Sequence, residues 1–339
     1  MKARSAQRSA LAFLAALFLS ATANAQIFRS YLALNGNDAN PCTLPQPCRL
    51  LPAALNAVAN GGEIWMLDSA NYNTATVNVT KSVTILAVPG VVGSVVATGG
   101  PAINIATGGV KVGLRNLVIV PLPGAGATHG VVMSAGSALT FEQCLVANIP
   151  ERGVWVTSDA TVQIFDSTLR DNGTAGLWQE AGRLVMSRSR VTGSTYGVFL
   201  YNLTASSTIE GDLSEVTLSG NNYGMFAASV ASPSAVVKGS LRDSQVVRNF
   251  AANALIESDV SSAVTVSLSG NTFSNGAGHG VWVYGTGAKA WAAGNTISDN
   301  VVGVNITNGG TFESAGTNAV RNNGTDVSGT ITVPVPALR

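Results

Sequence analysis

The sequence predicts an all-β fold: a single-stranded, right-handed parallel β-helix of roughly 9–11 rungs, with a short amphipathic cap helix at its N-terminal end. Three observations carry this expectation. A Gly-aliphatic strand signature recurs at intervals of 21 to 30 residues. A second apolar signature sits between its copies, and small polar residues recur at fixed places beside it.

The first signature reads GVVM from Gly130, GVWV from Gly153, GLWQ from Gly176, GVFL from Gly197, GMFA from Gly224, ALIE from Ala254, GVWV from Gly280 and GVNI from Gly303. The second, as in FEQCLV and IFDSTL, ends at Val146, Leu169, Val191, Leu218, Val246, Phe273, Ile297 and Val320. Two residues before these anchors stand Cys144, Ser167, Ser189, Val216, Ser244, Asn271, Asn295 and Asn318. Three residues after stand Asn172, Ser194, Asn221, Asn249, Gly276, Asn300 and Asn323, with Asn148 one place early. Asparagine tolerates the left-handed region, so these positions read as tight turns whose amides stack from rung to rung. Rungs this short leave no room for crossover helices. Each strand must then pair with its equivalent about 4.8 Å away, and parallel crossovers are right-handed. VTKSVTIL from Val79 and GLRNLVIV from Gly113 supply earlier rungs.

The ends follow. Lys2, Arg4 and Arg8, then apolar Leu11 to Leu19 and Ala23-Asn24-Ala25, read as a secretory signal peptide over 1–25, with Gln26 the first mature residue. Secretion is expected, with periplasm and extracellular medium both open. Residues 26–62 form an opening segment and the cap helix, where Leu51, Ala54, Leu55 and Val58 fall at helical spacing. The β-helix is expected over 63–331 and a tail over 332–339, whose prolines stop strand pairing. Later runs fall short of the ~20 apolar residues of a membrane span. With 11% charged residues and a net charge of +1, a nucleic-acid partner is not expected. Cys42 and Cys48 read as a disulfide rather than a metal site, since no histidine or third cysteine is near in sequence, and Cys144 as a small ladder residue.

The rungs resemble the pectate-lyase-like right-handed β-helix superfamily. The segment NGNDANPCTLPQPCRLLPAALNAVANGGEIWML is similar to the N-terminal opening of secreted bacterial β-helix proteins of mostly unassigned function. The resemblance spans nearly the whole mature chain and implies the fold; it does not fix an activity, because lyases, hydrolases, adhesins and scaffolds share it.

Polygalacturonases of this superfamily carry aspartates before successive Gly-aliphatic strands, followed by a Gly-His-Gly rung, and GAGHGVWV puts His279 in that place. Hydrolysis needs two carboxyl groups, yet the two preceding rungs offer Asn222-Tyr223 and Ala252-Asn253. A lyase needs clustered carboxylates for Ca²⁺ and an arginine base, and Glu180, Glu257 and Asp259 are sparse. Calcium is implied under the lyase alternative alone; the expectation is no cofactor, no metal and no catalytic residue.

The residue after each glycine is aliphatic and faces the core, so alternation sends the next outward. That outward column reads Val132, Trp155, Trp178, Phe199, Phe226, Ile256, Trp282 and Asn305, with Tyr201 and Tyr284 two residues further on. An apolar stripe of this size marks an interaction surface, here Trp155, Trp178, Phe199, Phe226, Trp282, Tyr201 and Tyr284. The stripe suits a polysaccharide or protein partner; the alternatives are self-association, or cover from the longer rungs at 201–212 and 227–240. The expected function is a secreted, non-catalytic binding or surface-interaction protein, and the alternative a polysaccharide lyase or, further off, a polygalacturonase-like hydrolase.

Overall fold

The computed structural model describes residues 26–332 apart from 231, 260 and 261; the signal-peptide reading and nearly all of the C-terminal tail lie outside the described residues. The chain winds through three parallel sheets in turn. The first has 13 strands, and the second and third have 11 each. Every named strand pairs with its equivalent one turn earlier or later, for example Val154 with Leu177 and Leu169 with Val191. Successive strands of one turn belong to different sheets, so the core is a stacked column of inward Val, Ile, Leu and Phe side chains.

The cap helix, α1 (Leu51–Ala57), carries Pro52 in its first turn and buries Leu51, Ala54 and Leu55 over the first rung. The first long strand starts directly after it, at Val58. Cys42 and Cys48 are disulfide-bonded with Cα atoms 4.7 Å apart, closing the loop beside this cap.

The corners explain the two polar ladders. Between the first and second sheets, Cys144 N–H donates to Ser167 Oγ and Ser167 N–H to Ser189 Oγ, both at 3.1 Å. The same column continues from Ser244 through Asn271 and Asn295 to Asn318 at 2.8–3.0 Å. Cys144 is a member of this column, and burial pushes its thiol up to about 12. Between the second and third sheets, Asn221 donates to Asn249 and Asn300 to Asn323 at 2.9–3.1 Å.

The left-handed residue is not the ladder asparagine itself. It is the residue before it: Asp171, Gly193, Gly220, Arg248, Asn275, Asp299 and Asn322 all have positive φ. Asn148 belongs to that set, with φ of 60°, which is why it stood one place early; the ladder position of its rung is Ile149, whose N–H donates to Asn172 Oδ1. The left-handed residue turns the corner, and the next side chain then points inward to tie one rung to the next.

One rung departs from the expected register. Leu255, not Ile256, pairs with Phe226 and Trp282, and Ile256 is buried in the core. The glycine-equivalent position is therefore Asn253, not Ala254. Its side chain lies 2.9 Å from the amides of Asn249 and Asn300. It fills the gap that Gly276 leaves in the ladder one rung later, and the two irregularities compensate each other.

Candidate functional site

The outer face of the third sheet carries the aromatic stripe, and its shape begins with the glycines. A Cβ on Gly153 would come within 2.7 Å of the Gly176 carbonyl oxygen and 2.8 Å of the Asn172 amide, so the chain turns inward there. Gly153 and Val154 both face the interior, and strict alternation breaks. Residues on either side, Arg152 and Trp155, then both face outward.

Two columns result where alternation alone predicts one. The first runs His129, Arg152, Ala175, Tyr196, Tyr223, Ala252, His279 and Val302. The second runs Trp155, Trp178, Phe199, Phe226, Leu255, Trp282 and Asn305. A third, two residues on, holds Tyr201, Ala228, Glu257 and Tyr284, with Glu180 directly before Tyr201. The first column was legible as the residue before each glycine, but a search for carboxylates passes over tyrosines there.

At the centre of the stripe the rings cover one another. Phe199 stacks on Tyr196 and Tyr201 with centroids 4.6 Å apart and on Phe226 at 4.5 Å; Tyr196 stacks on Tyr223 at 5.6 Å. Phe199 is 3% exposed, Phe226 8% and Leu255 3%, so the phenylalanine rings form an outer apolar core and do not present free faces. Trp178, Tyr196, Tyr201, Tyr223, Trp282 and Tyr284 pack against that core and stay half-buried, with surface open to solvent. Among the described residues, loops do not cover the stripe. The extra residues of the longer rungs lengthen the strands, as in Tyr196–Asn202 and Tyr223–Ser229, and leave short connections.

Polar groups border both ends. The Arg152 guanidinium lies 4.5 Å from the Trp155 centroid and 4.3 Å from that of Trp178, and its Nη1 is 3.2 Å from His129 Nε2. His129 stacks on Trp155 at 5.0 Å and lies 3.3 Å from the Glu151 carboxylate; burial holds its pKa below the ordinary value. Trp155 Nε1 donates to Glu180 Oε1 at 2.9 Å, and Trp282 Nε1 to Thr307 Oγ1 at 2.9 Å. Beside Tyr284, one rung before it, burial first and then the neighbouring Asp259 push the Glu257 carboxyl up to about 7.

His279 sits at the edge of this surface, 4.7 Å from the Trp282 ring and 3.5 Å from the Asn305 amide, and burial lowers its pKa. Its cross-strand neighbours are Ala252 and Val302, and neither supplies a carboxylate. Among the described residues no three His, Cys, Asp or Glu side chains converge, so no donor set for a calcium ion with six to eight oxygen ligands is assembled. No described helix is long and apolar enough to cross a membrane. A separate open groove of about 830 Å³ lies at the corner between the first and second sheets, lined by Trp65, Arg115, Gln143 and Asp166. Its charges already pair, Arg115 with Glu142 and Asp166 with Arg188, so the third-sheet face is the stronger candidate.

Comparison with known proteins agrees with this architecture. The family described as "Right handed beta helix region" matches residues 102–261. A search of curated proteins returns no match to the chain. Among solved structures the chain is similar to the pectate lyase Pel9A, at 15% identity and a TM-score of 0.60, covering 83% of this chain and 77% of that one. It is similar to XylC in complex with xylose, at 8% identity and a TM-score of 0.59, covering 84% and 71%. A double mutant of the periplasmic alginate epimerase AlgG matches at 13% identity and 0.55, covering 81% and 74%. Identities this low speak to fold alone. By fold, the chain is a right-handed parallel β-helix protein, similar in architecture to the pectate lyase Pel9A.

Proposed function

We propose that the protein is a secreted glycan-binding β-helix whose third-sheet face docks a polysaccharide along the helix axis, without catalysing a reaction on it. The observation that supports this reading most is the half-exposed set of Trp155, Trp178, Tyr196, Tyr201, Tyr223, Trp282 and Tyr284 around a buried Phe199–Phe226 centre. Rings fixed by an outer core lose little entropy on binding, and their apolar faces suit the C–H faces of sugars while indole and phenol groups serve hydroxyls. From Trp155 to Trp282 the face spans six rungs, about 24 Å, which fits an elongated ligand. The neighbours act on or hold saccharides by name, a pectate lyase, an alginate epimerase and a protein bound to xylose, which is consistent with this use of the fold.

The test is intrinsic fluorescence titration against a panel of polysaccharides, with Trp155→Ala and Trp178→Ala. Quenching by at least one glycan, weakened about tenfold or more in either variant at unchanged circular dichroism, is the expected result. No response across the panel refutes it. A catalytic reading has one observation in its favour, the Glu257 carboxyl that titrates near neutrality beside Asp259. Release of unsaturated or reducing sugar ends by the parent protein but not by Glu257→Gln would establish that reading instead.

A further inference from the structure

We infer that the third-sheet face selects a cationic glycan, one bearing free amino groups, and disfavours acidic polysaccharides. This rests on the glycan-binding reading above and narrows it to a substrate class.

The inference comes from charge placement. Along the aromatic rungs, from Glu151 to Tyr284, the charged residues on the third-sheet strands and directly flanking them are four carboxylates, Glu151, Glu180, Glu257 and Asp259, and one cation, Arg152. Without Lys2, Arg4 and Arg8, which the signal-peptide reading removes, the chain has a formal charge of −2, and the five charged groups of this face sum to −3, so the negative balance is concentrated there. The single cation is already engaged: Arg152 lies against two indoles, touches His129, sits 3.8 Å from Glu151 and has a side chain 20% exposed. An incoming carboxylate or sulfate would meet like charge and no free guanidinium, which costs affinity directly.

An ammonium group meets the opposite situation. Glu180 precedes Tyr201 by one rung, and Glu257 follows it by two with the small Ala228 between. Tyr284 then closes the row one rung beyond Glu257. Carboxylates thus alternate with tyrosine rings along one edge, and a cation near a tyrosine face is attracted by the ring as well as by its neighbouring charge. Glu180 and Glu257 are about 14 Å apart along the axis, so a polymer with repeated amino groups can reach both. The groups facing Glu257 are Asp259, Tyr196, Tyr201 and Tyr284, and the raised pKa of Glu257 means that its proton leaves as an ammonium arrives.

The experiment compares three hexamers by isothermal titration calorimetry at pH 6 and low salt: β-1,4-linked glucosamine, its fully N-acetylated counterpart and oligogalacturonate. The glucosamine hexamer is expected to bind about tenfold tighter than the acetylated one, with oligogalacturonate weakest, and its advantage is expected to shrink as salt rises. Glu257→Gln combined with Asp259→Asn should erase that advantage, so that the two glucosamine-based hexamers bind the double variant with the same affinity. Proton release, read from heats in two buffers of different ionisation enthalpy, should accompany glucosamine binding to the parent and vanish in the double variant. Equal or tighter binding of the acetylated or acidic hexamer overturns this inference and leaves the glycan-binding reading standing. Binding of other glycans in the panel without glucosamine does the same, whereas no binding by any glycan overturns both.

Discussion

Exchanging Asn253 for glycine and Gly276 for asparagine, singly and together, tests how the corner beneath the aromatic face is held. Asn253→Gly removes side-chain hydrogen bonds to Asn249 and Asn300, both 2.9 Å; Asn249 Nδ2 keeps its bond to Leu218 O and Asn300 Oδ1 still accepts from Gly276 N–H. At about 1 kcal/mol per lost bond, with one buried Asn249 N–H left without a partner, the expected loss is ~2–4 kcal/mol. Gly276→Asn alone forces a Cβ to 2.9 Å from Asn300 Oδ1 and 3.1 Å from Asn253 Nδ2, an overpacking of about 1–3 kcal/mol. Together the two changes rebuild a regular ladder, with glycine where Gly224 and Gly280 stand and asparagine where Asn249 and Asn300 stand. The double variant is expected within about 1 kcal/mol of the parent, giving a coupling of at least ~2 kcal/mol. Guanidinium unfolding followed by far-ultraviolet circular dichroism measures it, provided the dependence on denaturant keeps its slope. Additivity of the two single effects within ~0.5 kcal/mol would show that Asn253 does not occupy the place Gly276 vacates.

Two further outcomes follow from buried groups. The folded protein holds a proton on Glu257 that the unfolded chain releases between 4.5 and about 7, so this group's contribution to stability is present below pH 4.5 and lost as pH rises through 7. Glu257→Gln should therefore raise the unfolding free energy relative to the parent at pH 8, by about 1 kcal/mol once solvent screening at a half-exposed site is allowed for, and change little at pH 4.5; an equal gain at both pH values contradicts the assignment. Cys144 is buried with its thiol pushed up to about 12, so a disulfide exchange reagent should label no thiol in the native protein and one per chain in denaturant; rapid native labelling contradicts the burial.

The solenoid was legible because a parallel β-helix repeats the same environment every rung, and any residue type that environment demands recurs in the sequence. Valine or leucine after glycine, as at Val154 and Leu177, and serine or asparagine at the corners, as at Ser167 and Asn271, are such demands. The register of the rung at Asn253 was not legible, because ALIE fits the strand signature equally well one residue early. Hydrogen bonding across the corner, not the local pattern, chose the pairing of Leu255 with Phe226. The left-handed residues escaped for a related reason: asparagine is suited both to positive φ and to amide stacking, and the backbone separates the two roles onto adjacent positions.

For the candidate site, the sequence alone determined which face carries the aromatics, since period-two alternation after each glycine leaves no other place for Trp155, Trp178 and Trp282. Only the tertiary structure decided which rings are accessible. The inward turn at each glycine brings a second outward column onto the face, so Tyr196 and Tyr223 cover Phe199 and Phe226, and Arg152 comes to rest between Trp155 and Trp178. Alternation fixes the direction of a side chain, but its exposure is set by what neighbouring rungs place over it, and those neighbours lie more than twenty residues away.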